Sequence, residues 1–307
     1  MRMKIVILFV LTALFSTPTY AQLNSNIKAK LYYTEAEKTF AQGDFESSLE
    51  YVIKAENTLG TVVARTLALK IKIQYNLGNF IEAKELLDAY TADYMDEATQ
   101  ELNDEILGMY ISIEEAAEAV ASRKAEVQAS IRARSGEFTD SRDGKTYQTI
   151  KIGMDVWMAE NLNYRTGSGS WCYGDVSANC EKYGRLYTWE TAKRVCPAGW
   201  HLPSDREWTL LTGNLGGEDV SGTKMKSTSG WEEKEYNGTN ESGFSGLPGG
   251  ERDYDGTFSG IGIYGIWWSS TESSTFDVVK IRGVNNYGIV ISSSNKDDGA
   301  AVRCLRD

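Results

Sequence analysis

The sequence predicts an α+β protein in two parts, an all-α N-terminal half followed by an α+β half. All four cysteines and all eight tryptophans of the 307-residue chain lie after residue 150, and only four of the 29 glycines precede Ser135. The apolar periodicity changes at the same place, from a helical period to a period of two. We therefore predict a boundary near Ser135-Gly136, with domains at 22–134 and 135–307.

The first residues have the pattern of a cleaved signal peptide, residues 1–21. Arg2 and Lys4 precede an apolar run of eleven residues, Ile5 to Phe15, and a small-residue cleavage site ends at Ala21. The run is too short to span a bilayer as a helix. We expect an exported protein without a transmembrane segment, located in the periplasm, at the cell surface or in the medium.

The charge balance is acidic. Removal of residues 1–21, which carry Arg2 and Lys4 but no Asp or Glu, changes the formal net charge from −11 to −13. Such a balance disfavours nucleic acids and anionic membrane surfaces as partners.

The region from Gln22 to about Tyr94 contains an internal repeat. GDFESSLEYVIKA at 43–55 aligns with GNFIEAKELLDAY at 78–90, a period of 35 residues. Its apolar pattern predicts helices at 27–42, 44–58, 62–77 and 79–92. The repeat resembles the tetratricopeptide repeat, a helical hairpin of about 34 residues. That resemblance implies a groove for an unknown protein partner.

The segment from Asp96 to Arg134 predicts one further long helical region. Apolar residues recur at spacings of three and four from Ile113 to Ile131, interrupted by Lys124. Two interpretations remain open. The helix either caps the last repeat and continues as a stalk, or it forms a dimerising seam.

Beyond Glu137 the sequence predicts a mixture of short helices and strands. Asp143-Gly144 lies between two alternating segments and indicates a β-hairpin. Ser204 and Glu207 form a capping box at the start of a helix. The other expected elements are a short helix at 188–196, a long irregular stretch from 217 to 261, and strands at 266–271, 278–283, 288–292 and 301–305.

Five motifs in this half carry a family resemblance. In chain order they are YGRLYTWETA, CPAGWHLPSDREW, GFSGLPGGERDYDGTFSGIG, WWSSTE and VRCLRD. Together they resemble the Fibrobacter succinogenes major paralogous domain over about 137–307. That family is similar to the C-type-lectin-like fold, which it shares with formylglycine-generating enzymes. The resemblance implies a C-type-lectin-like α+β domain and leaves the activity open.

The same resemblance bears on the cysteines. Lectin-like folds bridge the positions of Cys196 and Cys304, which leaves Cys172 and Cys180 to pair locally. Export supplies the oxidising compartment that disulfides need. A zinc site is the alternative, but the chain has one histidine and no C-x2-C pair.

Catalytic residues are not indicated, so we expect a protein that is not an enzyme. His201 lies between the apolar residues Trp200 and Leu202 and is interpreted as a packed or loop-fixing residue. No nucleophile elbow or phosphate-binding loop is present. The reactive cysteine pair of formylglycine-generating enzymes is not matched. An enzyme on that scaffold remains one alternative, and a structural component of the cell envelope is another.

The leading expectation is a non-catalytic binding or adaptor protein with a glycan or peptide ligand. In lectin-like folds the long loops after the second helix meet the late strands, here 217–261 and the strand that follows. Aromatic and polar side chains in these segments are the candidate ligand-binding residues. They are Asn240, Arg252, Asp253, Tyr254, Trp267 and Trp268. Trp267 and Trp268 are adjacent on a strand and face opposite sides, so at most one is expected in the core unless both faces are covered, and the other is the candidate for a stacking platform. The alternative is that GFSGLPGG and WWSST are packing motifs.

A calcium ion is the only cofactor suggested by the sequence. Four turn acids are candidate Ca²⁺ ligands, and the alternative is that they are solvated turn residues: Asp253, Asp255, Asp297 and Asp298.

Overall fold

The structure, a computed structural model, describes residues 24–232, 236–273 and 278–307. The predicted signal peptide lies outside the described residues. The chain forms two compact units, divided between Lys124 and Ala125. This division falls ten residues before the composition break at Ser135.

The first unit is all helical, and the four predicted helices are confirmed to within three residues at each end. The helices are α1 Ser25–Ala41, α2 Phe45–Leu59, α3 Ala64–Asn76, α4 Phe80–Ala89, α5 Gln100–Gly108 and α6 Tyr110–Arg134. Local signals set their ends. Asp44 caps α2 by accepting a hydrogen bond from the Ser47 amide at 3.1 Å, and Gly60 ends it with a left-handed φ of 74°.

The internal repeat is visible as a repeated packing contact at the turn of each helical hairpin. Phe40 packs on Phe45 in the first hairpin, with ring centroids 5.4 Å apart, and Tyr75 packs on Phe80 in the second at 5.5 Å. The two pairs are 35 residues apart in sequence. The tetratricopeptide resemblance itself stays a prediction.

The helix α6 is buried in its first turns and exposed further on. Ile113 and Ala117 are buried, and Ile113 packs in one core cluster with residues of α3, α4 and α5. No residue at positions 118–126 is buried, Val120 and Lys124 included. The capping interpretation is therefore confirmed for the first turns of α6, and the dimerising seam stays a prediction.

The last turn of α6 belongs to the second unit. Ile131 packs against that unit's core. The Arg134 guanidinium donates hydrogen bonds to three backbone carbonyl oxygens, those of Lys151 at 3.1 Å, Ser242 at 3.1 Å and Glu241 at 3.2 Å. These contacts explain why the second unit begins before Ser135.

A fragment of residues 125–307 should therefore be more stable than a fragment of residues 136–307. The shorter fragment loses the packing of Ile131 and leaves three carbonyl oxygens without the Arg134 donor, which costs about 2–3 kcal/mol. Urea unfolding of the two fragments measures the difference. Arg134→Met in the longer fragment should lower its stability by about half of the difference between the two fragments. Equal urea midpoints for the two fragments would place the domain boundary at the composition break near Ser135 instead.

The second unit contains short helices and many strands. Its helices are α7 Ser177–Tyr183, α8 Trp189–Val195, α9 Asp205–Asn214 and α10 Glu218–Met225. Its strands are β1 Ser135–Thr139, β2 Thr146–Ile152, β3 Asp155–Met158, β4 Ser170–Trp171, β5 Leu186–Tyr187, β6 Trp200–His201, β7 Gly249–Arg252, β8 Phe258–Ile261, β9 Tyr264–Glu272, β10 Val278–Asn285, β11 Gly288–Asn295, β12 Ala300–Ala301 and β13 Leu305–Arg306.

The described strands form two sheets. One has the order β1-β2-β3-β13-β6, and the other has the order β11-β10-β9-β12-β5-β4, with β7 pairing β8 and β9. The predicted hairpin is confirmed as β1–β2, and the predicted α+β class is confirmed.

Two sequence-based expectations are corrected. The predicted strand 301–305 is broken into β12 and β13, and between them the carbonyl oxygens of Val302 and Cys304 accept hydrogen bonds from Leu162 and Met158. This break lets the chain leave one sheet at β12 and enter the other at β13. The stretch 217–261 is also more regular than expected, since it contains α10, β7 and β8.

The core of this unit lies on both faces of β9. One cluster contains Trp268 with Trp189 of α8, and another contains Trp267 with Trp208 of α9. The predicted capping box holds α9 in place, since the Glu207 carboxylate accepts from the Ser204 amide at 2.7 Å. In the part of the chain that the structure describes, no helix is both long and apolar enough to cross a membrane.

Candidate ligand-binding site

Both disulfides implied by the lectin-like resemblance are present. Cys196 pairs with Cys304, and Cys172 pairs with Cys180 across eight residues. The second bridge ties the segment after β4 to α7. It therefore holds the segment that carries Trp171 and Tyr173, the two neighbours of Cys172.

Four side chains from this segment and from the β7–β8 hairpin form one partly exposed surface. The Arg252 guanidinium stacks over the Trp171 ring, 4.1 Å from its centroid, and lies 5.8 Å from that of Phe258. Phe258 in turn packs against Tyr173, with centroids 5.3 Å apart. All four are partly exposed, and we call them the Arg252 cluster. Aromatic rings around one guanidinium can bind a ligand by stacking and by charge-assisted hydrogen bonds.

A partly buried polar group lies near the Arg252 cluster and consists of Glu251 and Ser259 of the β7–β8 hairpin and Tyr264 of β9. The Tyr264 hydroxyl donates to the Glu251 carboxylate at 2.9 Å and contacts the Ser259 hydroxyl at 2.9 Å. Burial raises the pKa of Glu251, and the nearby Asp253 and Asp298 raise it further against the opposing hydrogen bond from Tyr264. Burial also raises the pKa of Tyr264, to about 12. A carboxylate of raised pKa can exchange hydrogen bonds with hydroxyl groups in either protonation state.

The Tyr264 ring requires a glycine opposite it. Gly260 has a left-handed φ of 77°, and a Cβ placed on it would lie 2.0 Å from the tyrosine ring. No other residue fits this position without moving the ring.

Three of the predicted ligand-binding residues lie together at the tip of the β7–β8 hairpin. The Asp253 amide donates to the Thr257 carbonyl at 2.8 Å, which closes the turn beside Arg252. The Tyr254 amide donates to the Asp298 carboxylate at 3.0 Å, and its side chain is 69% exposed. The structure thus brings Arg252, Asp253 and Tyr254 to one surface.

Asn240 has a different place. Its side chain accepts from the Ser245 amide at 2.8 Å and donates to the Ser245 hydroxyl at 3.0 Å. With φ of 51°, it closes the loop 240–245 and is not among the contacts of the Arg252 cluster.

The expectation that Trp267 or Trp268 offers a stacking platform is wrong. Both side chains are 0% exposed. The Trp267 indole donates to the Asn161 side chain at 2.7 Å, and the Trp268 indole donates to the Tyr187 carbonyl at 2.6 Å. The physical reason is that β9 is covered on both faces, so each tryptophan enters a separate core cluster.

The four turn acids do not form a shared ligand set. Asp298 accepts from the Asn295 amide and the Ser294 hydroxyl, and Asp255 accepts from the Thr257 amide and hydroxyl. Hydrogen bonding to Thr257 holds the pKa of Asp255 below its usual range. Within residues 24–232, 236–273 and 278–307, no group of three or more His, Cys, Asp or Glu is placed to hold a metal ion.

His201 bridges two carboxylates away from this surface. Its Nδ1 lies 2.7 Å from an Asp307 oxygen, and its Nε2 lies 3.1 Å from a Glu207 oxygen. Burial lowers the pKa of His201, but the hydrogen bonds to Asp307 and Glu207 outweigh burial, and the net pKa is raised. The loop-fixing interpretation fits this geometry, since only the protonated ring can donate to both carboxylates.

The contribution of His201 to stability should therefore depend on pH. Because the folded-state pKa lies above the unfolded value of about 6.5, the stabilisation is fully present below pH 6.5 and is lost as pH rises through the folded-state pKa. We expect His201→Gln to lower the melting temperature more at pH 5.5 than at pH 8.5. Asp307→Asn should reduce the same difference. An equal effect at both pH values would contradict the bridge.

The sequence-based analysis missed Trp171, Tyr173, Phe258 and Glu251 as site residues. A sequence signal existed for two of them, because Trp171 and Tyr173 flank a cysteine in a Gly/Ser-rich loop. Phe258 and Glu251 lie in the motif GFSGLPGGERDYDGTFSGIG, but no local signal distinguished them from their neighbours in the stretch 217–261.

Comparison with protein families gives one match in the second unit. The model of the Fibrobacter succinogenes major domain matches residues 150–306, which is slightly more than half of the chain. No curated protein and no solved structure matches the chain. The matched residues include both disulfides, the capping box and the whole Arg252 cluster. The chain belongs to the Fibrobacter succinogenes major domain family.

Proposed function

We propose that this protein is an exported, non-catalytic binding protein whose C-terminal domain binds a glycan. The Arg252 cluster is the observation that carries the proposal. Its three aromatic rings supply the apolar faces on which sugar rings stack, and Arg252 supplies hydrogen bonds to hydroxyl groups. The helical hairpins of the first unit supply the surface for a protein partner, in keeping with their tetratricopeptide-like repeat.

Two further observations support this proposal. The four cysteines are paired in disulfides, which suits an oxidising compartment outside the cytosol. The described part of the chain contains no free cysteine, so the reactive thiol on which formylglycine-generating enzymes depend has no counterpart there. These points favour binding over the alternative of an enzyme on that scaffold.

A glycan array tests the proposal with the mature chain from residue 22. We expect signals that Trp171→Ala reduces at least tenfold and that Tyr254→Ala reduces several-fold. Tyr287→Ala is the matched control, because Tyr287 is an exposed tyrosine on the turn between β10 and β11. Melting curves of all variants separate lost binding from lost folding.

The outcomes are distinct. Capture of glycans that is independent of Trp171 would place the site elsewhere and contradict the proposal. A peptide library that is captured in a Trp171-dependent way, with no glycan signal, would favour an extended peptide as the ligand. No Trp171-dependent ligand of either kind would leave the envelope-component alternative.

A further inference from the structure

The second unit contains a cleft that the Arg252 cluster does not use. Its volume is about 460 Å³, within the range of small-molecule sites. The start of β2, the segment after β3, α7 and Arg303 form its walls. We propose that this cleft is a second binding site and that its ligand is a sugar acid, a monosaccharide unit carrying one carboxylate.

The first argument is a buried cation, Arg303, whose hydrogen bonds in the described part of the chain do not go to a carboxylate, although the charge of Glu160 on the same cleft acts on it. Arg303 lines the cleft and is buried, and burial lowers its pKa to about 9, so it stays charged at neutral pH. Its hydrogen bonds within the described residues go to neutral acceptors, namely the Asn161 side chain and the carbonyl oxygens of Met158, Phe244 and Ser245. A buried charge of this kind makes the cleft attractive to an anion.

The second argument is an orphaned hydrogen-bond acceptor. Asn163 lines the cleft and is 8% exposed, yet its side-chain oxygen has no hydrogen-bond partner. An unpaired buried oxygen costs about 1–3 kcal/mol. A ligand hydroxyl that reaches this oxygen would satisfy it, whereas a carboxylate has no proton to donate.

The third argument is the charge of the walls. The charged residues that line the cleft are Lys145, Lys182 and Arg303 against Glu160 and Glu181, a net charge of +1. This balance suits a monoanion better than a phosphate dianion. The Lys145 ammonium also donates to the backbone carbonyl oxygen of Asn163 at 2.9 Å. This hydrogen bond holds one cation beside the Asn163 side-chain amide, whose oxygen has no partner. A carboxylate and several hydroxyls on one small ring satisfy all three features.

Calorimetric titration of the mature chain tests this proposal with four probes, D-glucuronate, D-glucose, acetate and inorganic phosphate. We expect D-glucuronate to bind at least tenfold more tightly than each of the others. Glucose lacks the charge, and acetate and phosphate lack the sugar hydroxyls. Equal binding of glucuronate and glucose, equal binding of glucuronate and a simple anion, or no binding of glucuronate would each overturn the proposal.

Four variants locate the site. Lys182→Glu changes an exposed cation on α7 and should weaken glucuronate binding at least tenfold, and Asn163→Asp should do the same by placing a carboxylate beside the ligand. Lys151→Glu is the matched control, because Lys151 is an exposed lysine of β2 that does not line the cleft. Trp171→Ala should leave glucuronate binding unchanged. Loss of binding in Trp171→Ala, or its persistence in Lys182→Glu, would overturn the assignment to this cleft.

Discussion

The protein with both Cys196→Ser and Cys304→Ser should be less stable by about 4–5 kcal/mol in its free energy of unfolding. The bridge closes a loop across 108 residues, and cross-linking a loop of this length removes that much entropy from the unfolded chain. Both cysteines also lie in or against the core cluster of Trp189 and Trp268, where serine would place a hydroxyl among apolar side chains. Typical domains are stable by 5–15 kcal/mol, so the second unit should approach the limit of folding.

The Cys172–Cys180 pair is the matched control. This bridge spans only eight residues, so the loop entropy predicts a smaller loss of unfolding free energy. For Cys172→Ser with Cys180→Ser the expected loss is about 2–3 kcal/mol. Urea unfolding at 25 °C, followed by tryptophan fluorescence, compares the two double variants with the unmodified chain. Equal losses would mean that loop entropy does not govern the difference, and that local packing around each sulfur does.

The short bridge also has a functional consequence within the proposed function. It restrains the segment that carries Trp171 and Tyr173, and a free loop must be ordered when a ligand binds. The Cys172→Ser, Cys180→Ser variant should therefore lose more glycan affinity than its modest loss of stability explains.

Local signals in the sequence predicted local structure well. The capping box of Ser204 and Glu207, the Asp143-Gly144 hairpin and the repeated aromatic residues at Phe45 and Phe80 each depend on residues close in sequence. The chain geometry alone determines what such pairs can contact. The structure has all of them.

Contacts between distant residues could not be predicted in the same way. Trp171 and Arg252 meet across 81 positions, and only the strand order β4-β5-β12-β9, with β7 paired to β9, brings them together. The alternation of Trp267 and Trp268 indicated opposite faces of one strand. It could not indicate that helices and strands cover both faces.

The strand expected at 301–305 shows a third limit. Its apolar residues around a single arginine favour a strand, but Arg303 is buried and not solvated. The side chain of Arg303 binds carbonyl oxygens of two separate segments, at Met158 and at Phe244 and Ser245. An arginine in a short apolar segment gives no sign of this role.

Arg303→Met should lower the free energy of unfolding by about 3–5 kcal/mol. Methionine fills a similar volume, so the loss comes from three carbonyl oxygens that lose their donor in a buried site. The stacking of the guanidinium on Phe244, 4.2 Å from the ring centroid, is lost as well. Arg303→Lys should recover only part of the loss, since an ammonium group cannot reach acceptors on both sides in the plane of a guanidinium.

Arg306→Met is the matched control for this change. Arg306 is exposed and stacks on Trp200 at 4.9 Å, three residues further along the chain, so its replacement should cost less than about 1 kcal/mol. Urea unfolding, followed by the tryptophan fluorescence of the second unit, measures the stability of both variants under the same conditions. If Arg303→Met were as stable as the unmodified chain, water in the neighbouring cleft would be satisfying the freed carbonyl oxygens, and the buried guanidinium would be kept for ligand binding and not for folding. A loss of stability shows the structural role of Arg303, and glucuronate titration of Lys182→Glu tests the proposed ligand role of the cleft that Arg303 also lines.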